Sequence, residues 1–262
     1  MSSFRSLSDA FGFTTTGAAA GGFGKPPPDQ PRTPAPVWPH KPAGAKPSEP
    51  ETPAVLVAMV VDRSGSMQSM GVEVAGGCNA FLDGQREADT KSGTPTHLIF
   101  SVFDDKYDVV RNAPLAEQPA ISPSEIIPRG MTALYDALGR CLDDATEAGN
   151  KRTTPFEKVI IFVLTDGQEN SSHKCKKEDI TLRIKRLETE FGWEFYFAAA
   201  NQDAMATGSN LGFKGGQCVT FDSATPGACE AAFKCTSNKV AATRGGDLAG
   251  TTYTQEERDG CL

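Results

Sequence analysis

Five oxygen-bearing side chains of this chain stand where apolar runs end or helical segments begin. Asp62 ends the run AVLVAMVVD, and Ser64 and Ser66 follow it at alternate positions. In a tight loop, which Gly65 permits, that spacing turns one carboxylate and two hydroxyls toward one point. Asp166 follows the run FEKVIIFVL, and Thr132 lies between the two runs at the start of a helical segment. Two carboxylates and three hydroxyls form a hard-oxygen set, which suits Mg²⁺ or Mn²⁺ rather than zinc. Mg²⁺ takes about six oxygens and keeps some water. Five side chains, some acting through water, therefore leave a position open. Asp62 and Asp166 together balance a divalent cation, and Ser64, Ser66 and Thr132 add no charge. A cation so lightly neutralised stays electrophilic, and an Asp or Glu of a partner protein would complete its shell.

Each element has a plainer reading when taken singly. Ser64, Ser66 or Thr132 would serve as a helix cap, and Asp166-Gly167 is an ordinary turn pair. Their combination, in order at strand ends and a helix start, favours the metal site.

The elements that must position these residues follow from hydrophobic periodicity. AVLVAMVVD is a continuous β-branched run, the pattern of a strand buried on both faces of a parallel sheet. A helix is expected from Met70 to about Ala88, with Val74, Cys78, Phe81 and Leu82 on one face. THLIFSVFDD and YDVVRN read as a hairpin turning at Asp104-Asp105-Lys106, which puts an antiparallel strand on the sheet edge. TALYDALGRCLDDATEAG is a helix with Leu134, Leu138, Cys141 and Leu142 in phase. The strand FEKVIIFVLTD, the amphipathic helix ITLRIKRLETEFG and the strand WEFYFAAA follow. A short helix around Asp203 to Leu211, a short strand QCVTF and a helix from Glu230 to about Ala242 complete the pattern. This alternation predicts an α/β, Rossmann-like fold: a doubly wound, mostly parallel sheet with one antiparallel edge strand and helices on both faces. Ligands of such sheets bind at the carboxyl ends of the strands, where strand order reverses.

The chain has 262 residues, of which 39% are hydrophobic, enough for one sizeable core. Residues 1–53, rich in Gly and then Pro, read as a disordered arm dispensable for folding; 54–244 form the domain, and 245–262 a polar tail. The arm reads first as a spacer and second as a docking segment for an SH3- or WW-type groove near Trp38. A net charge of −7 argues against generic nucleic-acid binding. No apolar run approaches the roughly 20 residues of a membrane span, and the N-terminus lacks the apolar core of a secretory signal. Seven cysteines without a CxxC pair then suggest reduced thiols in a cytoplasmic protein.

Asp62-x-Ser64-x-Ser66, Thr132 and Asp166 resemble the metal-ion-dependent adhesion site of von Willebrand factor type A domains, with every position of the motif intact. The resemblance covers roughly Ala54 to Arg244. The strings VVDRSGSM, GMTALYDAL and VLTDGQENSS look like the intracellular microbial and phage-type members rather than the integrin or collagen-binding ones. The resemblance implies direct ligation by Ser64, Ser66 and Thr132. It implies direct or water-mediated ligation by Asp62 and Asp166, with Asp136 and Asn170 behind or beside the ligands. Asn201 and Asp203 follow a strand and would either line the rim or cap the next helix.

The expected function is a non-enzymatic, divalent-metal-dependent protein-binding module. Adaptor to an ATPase assembly is a second binding role, and a metal-dependent hydrolase is the competitor from another class. A haloacid-dehalogenase-like phosphatase would need a carboxylate where Ser64 stands. Neither a phosphate-binding loop nor a GxSxG elbow occurs. His173 with Cys175, among only three histidines, makes a poor nucleophile or metal pair.

Overall fold

The computed structural model describes residues 51–262 apart from Gln202. Most of the expected arm, including the segment around Trp38, lies outside the described residues.

The apolar runs form strands where periodicity puts them. β1 spans Val55–Asp62, with every residue buried. α1 (Glu73–Ser92) returns the chain to β2 (Thr96–Phe103), and a turn at Asp104–Lys106 leads into β3 (Tyr107–Pro114). After an irregular stretch come α2 (Leu134–Lys151), β4 (Lys158–Thr165), α3 (Lys177–Phe191), β5 (Glu194–Ala200), α4 (Ala204–Leu211), β6 (Cys218–Phe221), α5 (Ala228–Gly245) and α6 (Gln255–Asp259).

The strands make one six-stranded sheet in the order β3-β2-β1-β4-β5-β6. β1 pairs parallel with β2 and β4, β4 with β5, and β5 with β6; β3 runs antiparallel to β2 at the edge. The fold is thus α/β, doubly wound and mostly parallel, as the pattern predicts. Alternation along β1 splits the core in two. Val55, Val57, Met59 and Val61 pack with α1 and α5, while Leu56, Ala58 and Val60 pack with α2 and α3 on the other face. Strand order reverses between β1 and β4, so their carboxyl ends, Asp62 and Thr165, flank the crevice where ligands bind in such folds.

Residues 245–262 do not behave as the polar tail read from their composition. Tyr253 and Cys261 are buried, and the Tyr253 hydroxyl lies 2.6 Å from Thr236 Oγ1 on α5. The Asp222 amide donates to Cys261 O at 3.0 Å, and the Arg258 guanidinium donates to Gly215 O at 3.2 Å. Two apolar side chains eight residues apart are too sparse to register as a period, yet they suffice to anchor the segment.

Candidate functional site

Three loops close over the carboxyl ends of β1 and β4. Asp62 ends β1 with its side chain fully buried. Its Oδ1 accepts the Ser64 amide at 2.6 Å, and its Oδ2 accepts the Thr165 hydroxyl at 2.5 Å. These bonds fold the next residues back over the strand end. Ser64 Oγ then stands 3.0 Å from Ser66 Oγ, and Ser66 Oγ donates to Asp166 Oδ1 at 2.6 Å. Ser64 and Thr132 are each 2% exposed, whereas Ser66 is exposed and Asp166 half-buried.

Thr132 enters from the third loop. Its amide donates to Asn170 Oδ1 at 2.9 Å, and its carbonyl accepts the Asn170 amide at 3.0 Å. A Cβ placed on Gly167 would lie 2.8 Å from Thr132 Oγ1 and 3.6 Å from Ser66 Oγ. Gly167 therefore provides the space in which the Thr132 and Ser66 hydroxyls approach the Asp166 loop. The structure brings together all five residues singled out from the sequence: Asp62, Ser64, Ser66, Thr132 and Asp166.

The capping alternatives do not account for the hydroxyls. Ser64 precedes the short 3₁₀ helix Gly65–Ser69 but makes no side-chain cap bond there. Thr132 does not cap α2 either, because the loop after β4 supplies those acceptors. Glu169 Oε2 and Ser172 Oγ accept the Tyr135 amide at 3.0 and 3.1 Å. Asp136 does not reach the set; its carboxylate accepts the amides of His173, Lys174 and Cys175 at 3.0, 2.9 and 2.7 Å and so holds the same loop. Asp203 caps α4 by accepting the Ala206 amide at 2.9 Å. Asn201, at φ 53°, exchanges hydrogen bonds with Ser223. Cys175 packs against Gly139 and Ile180, while His173 is exposed.

A buried ion network that the sequence does not announce braces the loops. Asp104 Oδ2 accepts Arg63 Nε at 2.9 Å and Arg129 Nε at 2.7 Å, while Oδ1 accepts the Lys106 amide at 2.7 Å. Arg63 also pairs with Asp108. The backbone repeats the link. Arg129 N donates to Arg63 O at 2.8 Å, Ala133 N to Asp104 O at 2.9 Å, and Gly65 N to Gly130 O at 3.2 Å. The Thr132 loop is thereby tied to the Asp62–Ser66 loop from behind.

The electrostatics separate these carboxylates. Burial pushes the Asp62 carboxyl up to about 6, opposed by hydrogen bonds from Thr165 and Ser64 and assisted by the nearby charge of Asp166. Burial also raises Asp166, against the hydrogen bond from Ser66. Burial works against charge on Asp104 too, but Arg129, the Lys106 amide and Arg63 outweigh it and hold that carboxyl below its usual range. Among the described residues, neither Asp62 nor Asp166 forms an ion pair with a basic side chain. Two uncompensated carboxylates among three hydroxyls match the donor chemistry of a hard divalent cation. No cluster of three or more His, Cys, Asp or Glu suited to a metal occurs among the described residues, so a cation here needs the hydroxyls.

No protein-family model and no curated protein matches the chain. Solved structures do. The pilus adhesin SpaC from Lactobacillus rhamnosus GG, in its open conformation, is 16% identical over 74% of this chain and 30% of its own, with a TM-score of 0.52. A von Willebrand factor type A protein from Catenulispora acidiphila is 16% identical over 72% of this chain and 43% of its own, at a TM-score of 0.48. Proximal thread matrix protein 1 from the mussel byssus, with a zinc-occupied adhesion-site motif, is 15% identical over 71% of this chain and 46% of its own, at 0.49. This chain spans less than half the length of each. The likeness to SpaC is one of fold.

Proposed function

We propose that the chain is a metal-dependent protein-binding module, with Asp62, Ser64, Ser66, Thr132 and Asp166 holding Mg²⁺ or Mn²⁺. The observation that carries the proposal is the convergence of these side chains at the β1/β4 switch point without a basic partner. The bound cation would supply an electrophilic position for a carboxylate oxygen of the partner protein. Ser64, Ser66 and Thr132 add donors without charge, so the set stays receptive to one more anion. Asn170 holds Thr132, and Asp104 holds the loops. Met131, 53% exposed directly beside Thr132, offers an adaptable apolar contact at the rim, as partner-binding surfaces do.

Binding is favoured over hydrolysis because the two acids that hold the loop after β4 beside the set are already engaged. Asp136 accepts three amides, and Glu169 accepts the amides of Tyr135, Ser171 and Ser172 and the Ser172 hydroxyl. Neither stands ready as a general base. No helix among the described residues is long and apolar enough to cross a membrane. An intracellular, cytoplasmic setting belongs to this same proposal, and adaptor service to an ATPase assembly is its alternative binding role.

The test is capture from native lysate in Mg²⁺ with EDTA elution, using Asp62→Ala as control bait. A protein retained by the wild type, released by EDTA and absent from the control supports the module. Metal-dependent turnover of phosphate or acyl esters, lost in Ser64→Ala, would instead establish a hydrolase.

A further inference from the structure

The C-terminal segment is fastened along α5, and its last contact there is between thiols. Glu257 Oε1 meets Lys239 Nζ at 2.7 Å, with the lysine side chain almost enclosed. Cys261 stands one turn beyond Glu257, and Cys235 one turn before Lys239. Residues four apart share a helix face, so a second rung follows the ion pair. There the Cys235 and Cys261 side chains are neighbours, with Tyr253 beside both. The backbone holds Cys261 in place: its amide donates to Arg258 O at 3.2 Å, and its carbonyl accepts the Asp222 amide at 3.0 Å. Tyr253 fixes the α5 side through Thr236, the residue after Cys235, at 2.6 Å. We propose that Cys235 and Cys261 are a redox site, which a peroxide converts to a disulfide that locks the C-terminal segment to α5.

The two cysteines differ as this chemistry requires. Cys235 is half-buried, whereas Cys261 is 0% exposed, so an oxidant meets Cys235 first. The Cys261 thiol and the charges of Lys239 and Lys234 favour the Cys235 thiolate, against burial and the charge of Glu257. In the first step the Cys235 sulfur attacks one peroxide oxygen, the O–O bond breaks, and the other oxygen leaves as hydroxide. Cys235 is then a sulfenic acid. In the second step the Cys261 sulfur attacks the Cys235 sulfur, the S–O bond breaks, and the thiol proton leaves with that oxygen as water. The thiols lose two electrons and the peroxide gains them. Cys78 and Cys229 also lie close together, but at 0% and 1% exposure they are closed to an oxidant. Cys175 is half-buried too, but the described groups around it are Gly139, Ile180, Asp136 and Arg183 rather than a second thiol. A bridge from Cys235 to Cys261 closes a loop that holds the end of α5, Tyr253 and α6, and so restricts the unfolded chain. In a reducing compartment such a bond is transient and acts as a sensor.

The test treats the full native chain with hydrogen peroxide, alkylates it with iodoacetamide in urea, and digests it with trypsin without reduction. Mass spectrometry should find residues 235–239 joined to residues 259–262, with neither thiol alkylated. The bridged chain should melt about 5 °C or more above the reduced one, and dithiothreitol should remove the difference. In Cys261→Ala, Cys235 should stop at the sulfenic acid, trapped by dimedone. In Cys235→Ala, Cys261 should stay a thiol. Circular dichroism matching the wild type qualifies each variant as folded, and the wild-type mapping decides the bridge without them. A wild type that keeps both thiols, that yields Cys235 sulfinic acid with Cys261 still alkylated, or that joins Cys235 to another cysteine would overturn the proposal. Equal melting temperatures for the bridged and reduced chains would overturn the lock.

Discussion

Arg63 and Asp104, 41 residues apart in sequence, meet at 2.9 Å behind the candidate metal site. Arg63 sits between two proposed ligands, and Asp104 opens the β2–β3 turn, so the pair clamps the Asp62–Ser66 loop to its neighbour. Arg129 joins the same carboxylate and brings the Thr132 loop with it. Removing Asp104 takes from the buried Arg63 one of its two acid partners among the described residues and leaves it Asp108, which is half exposed. Asp104→Ala should cost about 1–3 kcal/mol in urea unfolding. It should also weaken Mn²⁺ binding about 10- to 100-fold, as loss of a residue that orients ligands does. Unchanged Mn²⁺ affinity would mean that the loops hold their geometry without the clamp.

The same carboxylate sets an acid limit. Its folded-state pKa lies below the unfolded value of about 3.9. The stabilisation is therefore complete above about pH 4 and is lost as pH falls through the depressed folded value. Acid unfolding of metal-free protein should show a stability loss below about pH 4 that Asp104→Asn lacks. Matching acid profiles for the two proteins would remove Asp104 from the explanation.

Gly167→Ala probes the site without touching a proposed ligand. The added Cβ would stand 2.8 Å from Thr132 Oγ1, closer than carbon and oxygen tolerate, so the hydroxyl must move. Metal affinity should drop about tenfold or more, a consequence of misplacing a donor. Wild-type affinity in this variant would show that Thr132 Oγ1 is not a ligand.

The C-terminal segment should matter to stability. Tyr253 is 4% exposed and shares a hydrogen bond with Thr236. Tyr253→Ala should cost about 3 kcal/mol or more by thermal or urea unfolding. A loss below about 0.5 kcal/mol would return residues 245–262 to the status of a loose tail.

Cys235 should be the first cysteine to react with iodoacetamide. It is half-buried, and the neighbouring Cys261 thiol favours its thiolate and lowers its pKa. The nearness of Cys235, together with burial, raises Cys261, and burial raises Cys78, Cys141, Cys175, Cys218 and Cys229. Thiolates are the reactive form, so labelling should rise with pH at Cys235 before any other site, and Cys261→Ala should slow it at neutral pH. Peptide mapping that finds Cys175 modified first would contradict this.

The sheet and the residues of the set were legible because both depend on short-range pattern. β1 and β4 are unbroken β-branched runs, and a carboxylate directly after such a run must lie at a strand's carboxyl end. The clamp was not legible. Asp104 reads locally as a turn residue, and its partners come from 41 residues upstream and 25 residues downstream. Nor does sequence disclose that Asp62 is closed off from solvent, since this needs the loop bearing Ser64 to fold back over the strand end and Thr165 of the neighbouring β4 to bond its carboxylate. Glu169 caps α2 from another element, a contact between segments that no local pattern discloses.

Whether the two carboxylates hold a metal is decided by calorimetric titration of Mn²⁺ into the wild type, Asp62→Ala and Asp166→Ala. One binding event is expected per wild-type chain and none in either variant, with the far-UV circular dichroism of all three alike. Asp166 is the stricter probe, being half-buried and hydrogen-bonded to Ser66 alone among the described side chains. Equal Mn²⁺ affinity in the folded variants would contradict the account, because the two carboxylates at the ends of β1 and β4 would then not hold the metal.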